Sequence, residues 1–83
     1  MAEISRGSLV YSRAGRDKGT LYVVLSLENG YVYLSDGDTR RVENPKKKKL
    51  KHINKTNTVC RLDFDKLENH EVRKALLMNK AEC

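Results

Sequence analysis

The dipeptide Asn29-Gly30 constrains the fold most, because it separates two runs of apolar and aromatic residues. The first run covers residues 21–28 and the second covers residues 31–35. Residues of these types favour strands, and an Asn-Gly pair between two such runs is the strongest short-range indication of a two-residue hairpin turn. The sequence therefore predicts two antiparallel strands joined at Asn29-Gly30.

The predicted turn also fixes the register of the two strands. Pairing outward from the tip puts Leu27 opposite Val32 and Leu25 opposite Leu34. Because side chains alternate along a strand, one face is then wholly apolar and is predicted to be the core: Leu21, Val23, Leu25, Leu27, Val32 and Leu34. The other face would carry Tyr22, Val24, Ser26, Glu28, Tyr31 and Tyr33.

Further turns suggest a meander of short strands. Asp36-Gly37-Asp38 predicts a second turn, followed by a short strand at residues 39–42. Residues 54–58 are polar and predicted to turn, whereas residues 59–64 predict another edge strand. Strands joined by tight turns without helices form antiparallel meanders, and a short meander protects its edges by curling into a small barrel.

The C-terminal part has a different pattern. Residues 68–78 carry apolar side chains at helical spacing, and Asp65 followed by Glu68 resembles a capping box. We expect this helix to pack on the barrel. The alternative is that Leu76-Leu77-Met78 binds a partner protein.

The length of the chain limits it to one small domain. Its 83 residues, 39% of them apolar, predict a barrel over residues 1–56 with a basic segment at 40–55, and a C-terminal extension over residues 57–83. The N-terminus lacks an apolar segment of signal-peptide length, and no stretch approaches the roughly 20 apolar residues of a membrane span. These features predict a cytoplasmic protein without membrane association.

Residue patterns of catalysis and cofactor binding are absent from the sequence. The cysteines and histidines lack the paired spacing of a zinc site, and no GxxxxGK[ST] or GxGxxG pattern is present. Cys60 and Cys83 do not form a disulfide framework, and both are predicted to be reduced thiols. We therefore expect no enzymatic activity, no metal, no cofactor and no small-molecule substrate.

The net charge of +6 comes from one segment. Residues 40–55 contain eight basic residues and one acid, whereas acids match or slightly exceed Lys and Arg in residues 1–39 and 56–83. Adjacent lysines repel one another and become favourable beside an anion, and nucleic-acid phosphate is the commonest such anion. A solvated lysine-rich surface is the alternative. The residues predicted to contact RNA are Arg40, Arg41, Lys46, Lys47, Lys48, Lys49, Lys51, His52 and Lys55.

A second candidate contact is the stretch of residues 13–19, between two apolar runs. Gly15 and Gly19 accept positive φ and permit a tight loop that turns charged side chains outward. The side chains predicted at its exposed tip are those of Arg13, Arg16 and Lys18. The prediction of a single RNA-binding face requires this loop to lie beside the basic segment.

Several of these features resemble the KOW motif of large-subunit ribosomal proteins and NusG-type transcription factors. The resemblance covers residues 5–31, about a third of the chain, and continues more loosely to Ile53. Gly19 stands where the motif has its near-invariant glycine, although Thr20 and Leu21 replace a basic and a small residue. The matching residues are Gly7, Leu9, Val10, Tyr11, Gly15, Arg16, Asp17, Lys18, Gly19, Tyr22, Val23 and Val24.

The order of residues 14–19 is especially similar to archaeal and eukaryotic ribosomal proteins of the fourteen-e type, and to small bacterial KOW-domain RNA-binding proteins. The resemblance implies a mainly β, SH3-like barrel of about five antiparallel strands, to which the tail adds a short C-terminal α-helix. It also implies that the protein binds ribosomal RNA in the large subunit, beside ribosomal protein neighbours, in translation.

Other interpretations remain open at this point. A NusG-type protein-interaction adaptor in transcription or translation is the main alternative, and the lysine run also fits a nuclear import signal. The tyrosines at positions 22, 31 and 33 could stack on unpaired bases, or could be covered by the barrel wall and the helix. An aromatic cage for modified lysine would use the same side chains.

Overall fold

The computed structural model describes residues 4–78. Its elements are β1 (Ser8–Ser12), β2 (Leu21–Glu28), β3 (Tyr31–Ser35), β4 (Lys46–Lys49), a 3₁₀ turn (Leu50–His52), β5 (Ile53–Val59) and α1 (Asn69–Met78). The strands form one antiparallel sheet in the order β4-β3-β2-β1-β5. The predicted mainly β fold with five antiparallel strands and a C-terminal helix is confirmed. The sheet is not closed, and β4 and β5 are its edges.

The hairpin register agrees with the prediction near the tip and departs from it further along. Leu27 pairs with Val32, as expected. The register then shifts, so that Val24 rather than Leu25 pairs with Leu34. A bulge of one residue moves the rest of a strand to the opposite face of the sheet.

Both faces of β2 are buried, and the shift puts Tyr22 and Val24, instead of the predicted Leu21, Val23 and Leu25, on the same face as Val32 and Leu34. The inner cluster contains Val10, Tyr22, Val24, Val32, Leu34 and Ile53. The outer cluster contains Leu9, Val23, Cys60, Val72 and Ala75, with Leu21 and Leu25 packed against it. The predicted outward positions of Tyr22 and Val24 are therefore wrong. The predicted core position of Leu27 is also wrong, since Leu27 is 40% exposed.

Residues 36–45 form an irregular connection, so the strand predicted at 39–42 is wrong. The Asp36 carboxylate accepts hydrogen bonds from the backbone N–H groups of Asp38 at 2.9 Å and Arg40 at 2.8 Å. The Ser35 hydroxyl donates to the Arg40 carbonyl at 2.7 Å. These local bonds satisfy backbone groups that a strand would otherwise pair with a neighbour.

Between residues 46 and 64, the strands and the irregular segment lie at other positions than predicted. The lysine run is strand β4 and pairs with β3, with Lys46 opposite Leu34 and Lys49 opposite Tyr31. Residues 54–58 belong to β5 and do not form the predicted turn, whereas residues 60–64 are irregular and do not form the predicted strand. Pairing with β1 supplies the backbone partners that make the polar segment a strand.

The C-terminal helix packs on the sheet as expected. Val72 and Ala75 are buried in the outer cluster, and the Arg73 guanidinium donates to the Gly37 carbonyl. The predicted Asp65–Glu68 capping pair is replaced by a single capping bond three residues later, in which the Glu71 carboxylate accepts from the Glu68 N–H at 3.0 Å. Within residues 4–78, no helix is long and apolar enough to cross a membrane.

The prediction of a reduced thiol is wrong at Cys60, which is buried and disulfide-bonded. Cys83 lies outside the described residues.

Candidate nucleic-acid interface

The centre of the candidate site is the carboxylate of Asp17, in the loop between β1 and β2. Its Oδ1 accepts hydrogen bonds from Ser12 Oγ at 2.8 Å and Lys48 Nζ at 3.1 Å. Its Oδ2 accepts from the Tyr22 hydroxyl at 3.1 Å and is 3.3 Å from Lys46 Nζ. We call these five residues the Asp17 cluster. It joins the β1–β2 loop to two lysines of the edge strand β4.

The electrostatics of the Asp17 cluster favour the ionised carboxylate. Burial alone would raise the pKa of Asp17, but hydrogen bonds from Ser12, Lys48 and Lys46 outweigh burial and hold that pKa well below its usual range. Burial and the neighbouring Asp17 charge raise the pKa of Tyr22 to about 12. At neutral pH the cluster therefore contains a carboxylate, a neutral phenol and two ammonium groups.

The loop that carries Asp17 is tightly closed. The Gly19 N–H donates to the Ser12 carbonyl at 2.8 Å, and the Ser12 N–H donates to the Thr20 carbonyl at 3.0 Å. Gly15 and Gly19 adopt φ values of 84° and 90°, which side chains rarely tolerate. The loop exposes three basic side chains, those of Arg13, Arg16 and Lys18.

The structure brings this loop and the basic segment together. Lys48 Nζ donates to the Ala14 carbonyl at 3.0 Å as well as to Asp17. The Arg13 N–H donates to the His52 carbonyl at 2.9 Å, immediately before β5 begins. The loop is therefore bonded to β4 and to the 3₁₀ turn, across the gap between the two edge strands.

The four lysines of β4 do not form one continuous row of free charges. Lys46 and Lys48 lie opposite the buried Leu34 and Val32, and only 27% and 11% of their side chains are exposed. Their neighbours Lys47 and Lys49 alternate with them and are exposed. Lys47 Nζ lies 4.5 Å from the centroid of the Tyr31 ring, a cation–π contact.

The other basic residues of the segment are spread more widely. Lys51 is exposed in the 3₁₀ turn, while His52 and Lys55 are half-buried. Arg40 is half-buried in the β3–β4 connection, whereas Arg41 lies 4.0 Å from the Glu43 carboxylate. That carboxylate accepts a hydrogen bond from Asn69 on α1, which holds the pKa of Glu43 below its usual range. Arg41 is therefore drawn toward the helix.

Sequence reasoning identified the cations and missed the acid that organises them. Asp17 is the one acid among the four charged residues of the loop, and Ser12 and Tyr22 flank the loop in sequence. The position of Asp17 as a single carboxylate among three cations could have predicted that it forms an ion pair.

Among residues 4–78, no three His, Cys, Asp or Glu side chains come together in a group that could hold a metal ion. Neither a protein-family model nor a curated protein sequence matches this chain, so its resemblance to KOW proteins stays a prediction.

Proposed function

We propose that this protein is a non-catalytic module that binds structured RNA through the Arg13–Gly19 loop and the neighbouring exposed lysines. The observation that carries this proposal is the pair of bonds from Lys48 Nζ to Ala14 and Asp17, because they hold the loop against β4. A fixed loop beside a basic strand offers phosphate groups a preorganised set of cations. The resemblance to KOW proteins supports large-subunit ribosomal RNA as the target.

Lysines of the basic strand have two separate roles in this proposal. Lys46 and Lys48 hold the loop, and their charges are partly neutralised by Asp17. The residues proposed to contact phosphate are the exposed cations around them: Arg13, Arg16, Lys18, Lys47, Lys49 and Lys51. Lysine contacts of this kind supply affinity without reading sequence. Arginine can also fork onto phosphate or stack on a base.

Removal of the exposed lysines tests the proposal without disturbing the Asp17 cluster. The variant combines Lys47→Gln, Lys49→Gln and Lys51→Gln, and its control combines Arg61→Gln, Lys66→Gln and Lys74→Gln, three exposed cations outside the loop and basic segment. Each of the two variants loses three positive charges. We expect the first to bind structured RNA about 10- to 100-fold more weakly at low salt, and the control less than about 3-fold.

Fluorescence anisotropy with a labelled structured RNA measures both affinities. Equal losses in the two variants would indicate general attraction to a polyanion and would overturn the proposed site. Co-sedimentation of the unaltered protein with large ribosomal subunits at moderate salt tests the proposed target. RNA binding without co-sedimentation would reject that target and leave the RNA-binding module intact.

A separate groove favours a second candidate, the protein-interaction adaptor. The groove has a volume of about 530 Å³, and its apolar lining includes Leu25, Val42, Phe64 and Leu67. Arg6 also lines the groove, and its guanidinium carbon lies over the Phe64 ring, 4.4 Å from the ring centroid. Binding to a partner that survives nuclease treatment and is lost with Leu67→Ser would support the adaptor function over RNA binding.

A further inference from the structure

A shallow pocket lies where the β2–β3 turn meets the end of β4. Its volume is about 420 Å³, and it is lined by Gly30, Tyr31, Lys49, Leu50 and Lys51. Small-molecule sites commonly have volumes of about 300–1,000 Å³. The pocket is therefore large enough for a group of the size of one nucleotide.

The walls of this pocket are fixed by the fold. The Leu50 N–H donates to the Gly30 carbonyl at 2.9 Å, which ties the 3₁₀ turn to the hairpin tip. Tyr31 pairs with Lys49 across the sheet. A Cβ atom added at Gly30 would meet no atom within 4 Å, so a flat group can approach the backbone closely there.

The chemistry of the pocket combines an apolar surface with positive charge. Leu50 is 40% exposed and, with the Tyr31 ring and the lysine stems, gives the pocket a mostly apolar lining. The exposed residues Lys49 and Lys51 give this lining two positive charges, and Lys47 Nζ lies over the Tyr31 ring. The nearby Glu28 carboxylate is outside the lining and accepts a hydrogen bond from the Tyr33 hydroxyl at 3.3 Å.

An apolar and aromatic surface beside free cations is complementary to a nucleotide, which carries a flat base next to an anionic phosphate. We propose that this pocket binds one unpaired nucleotide of the RNA. The base packs on Leu50 and on the part of the Tyr31 ring that lines the pocket, while Lys49 and Lys51 hold the flanking phosphates. The lining contains no Asn, Gln, Asp, Glu or Arg side chain that could pair with a base edge through two hydrogen bonds, so binding discriminates little between bases. This inference rests on the proposed RNA-binding function.

Two blunt-ended RNA duplexes that differ in one unpaired nucleotide test the pocket. One has a single bulged uridine, and the other is the same duplex fully paired. We expect Tyr31→Leu and Leu50→Ser each to weaken binding of the bulged duplex about 5- to 30-fold, with less than about 2-fold change for the paired duplex. Tyr11→Leu is the matched control, because Tyr11 is an exposed tyrosine of β1 outside the pocket.

The outcomes separate this inference from the proposed function. If the unaltered protein binds neither duplex, both proposals fail. If it binds both duplexes and the pocket variants weaken binding of the two equally or not at all, only the pocket is rejected. If Leu50→Ser instead abolishes self-association seen by sedimentation, a second copy of the chain occupies the pocket, and the nucleotide is rejected. Circular dichroism checks that the variants fold. If Tyr31→Leu unfolds, the test still depends on Leu50→Ser, because Leu50 is exposed.

Discussion

At the scale of single residues, Asp17 connects the fold to the candidate site. Its carboxylate binds two residues that flank its own loop and two lysines about 30 positions further along the chain. An exposed ion pair contributes little to stability, but only 14% of the Asp17 side chain is exposed. This carboxylate therefore stabilises both the loop and the attachment of the edge strand.

Replacement of Asp17 by Asn should lower the free energy of unfolding at pH 7. The change removes the charge that Lys46 and Lys48 share, and we expect a loss of about 2 kcal/mol, between the values for exposed and fully buried pairs. Urea unfolding followed by circular dichroism measures it. The control is Asp38→Asn, because Asp38 is exposed in the β3–β4 connection. Equal stability of both variants would show that the cluster does not contribute to the fold.

The pH dependence of the same variant gives an independent check. Because the folded pKa of Asp17 is depressed, its contribution is fully present above the unfolded value of about 3.8 and is lost as pH falls through the folded value. The difference in stability between the unaltered protein and Asp17→Asn should therefore shrink as pH falls from 5 toward about 2. A constant difference over that range would contradict the depressed pKa.

A second prediction at this scale compares two glycines that have the same φ angle. Gly7 and Gly19 both have φ of 90°, so an alanine at either position is strained by about 1 kcal/mol or more. A Cβ at Gly7 would also collide with the carbonyl oxygen of Cys60, whereas a Cβ at Gly19 would meet nothing. We expect Gly7→Ala to cost about 3 kcal/mol and Gly19→Ala about 1 kcal/mol, measured by urea unfolding. Equal costs would indicate that the chain relaxes freely around Gly7.

At the scale of elements, β4 shows how one strand can divide its side chains between stability and binding. Lys48 bonds to Ala14 and Asp17, whereas Lys49 is exposed at the pocket. Inward-facing charges on an edge strand also discourage pairing with another molecule. The same substitution at these two adjacent positions should therefore affect stability at Lys48 and RNA binding at Lys49.

Lys48→Gln should lower stability by about 1–3 kcal/mol, because the Ala14 carbonyl and Asp17 lose their ammonium partner. Lys49→Gln should change the free energy of unfolding by less than about 0.5 kcal/mol. It should reduce the magnitude of the slope of log RNA affinity against log salt concentration by about one. Thermal unfolding and anisotropy titrations over a range of salt concentrations measure the two effects. If Lys49→Gln were the more destabilising change, the assignment of faces on β4 would be wrong.

Elements whose conformation is set by neighbouring residues were predictable from the sequence, whereas elements that depend on distant partners were not. The Asn29-Gly30 turn was predictable because its conformation is set locally, and so was α1, with its helical spacing. The bulge near Leu25 was not, because burial of both faces of β2 removes the alternation that reports register. Strand β4 was missed because four lysines disfavour a strand, and only pairing with β3 and bonds to Asp17 compensate.

At the scale of the whole molecule, the open sheet explains why the candidate site lies where it does. Strands β4 and β5 are both edges, and the Arg13–Gly19 loop bonds to β4 and to the turn that leads into β5. The loop thus spans the gap that a closed barrel would fill with strand pairing. Lys46 and Lys48, which come from a separate part of the sequence, bond to the loop through Asp17 and Ala14, while Arg41 lies beside Glu43.

If the loop and the strand contact one RNA surface, both must contribute to the salt dependence of binding. About five phosphate contacts predict a slope of roughly −3.5 to −4.5 in a plot of log affinity against log salt concentration. A loop variant, with Arg13→Gln, Arg16→Gln and Lys18→Gln, should reduce the magnitude of this slope by about 2, and so should the variant with Lys47→Gln, Lys49→Gln and Lys51→Gln. Neither set includes a member of the Asp17 cluster, so stability should be retained. Anisotropy titrations at several salt concentrations measure each slope; a reduction in only one variant would mean that the loop and the strand do not form a single interface.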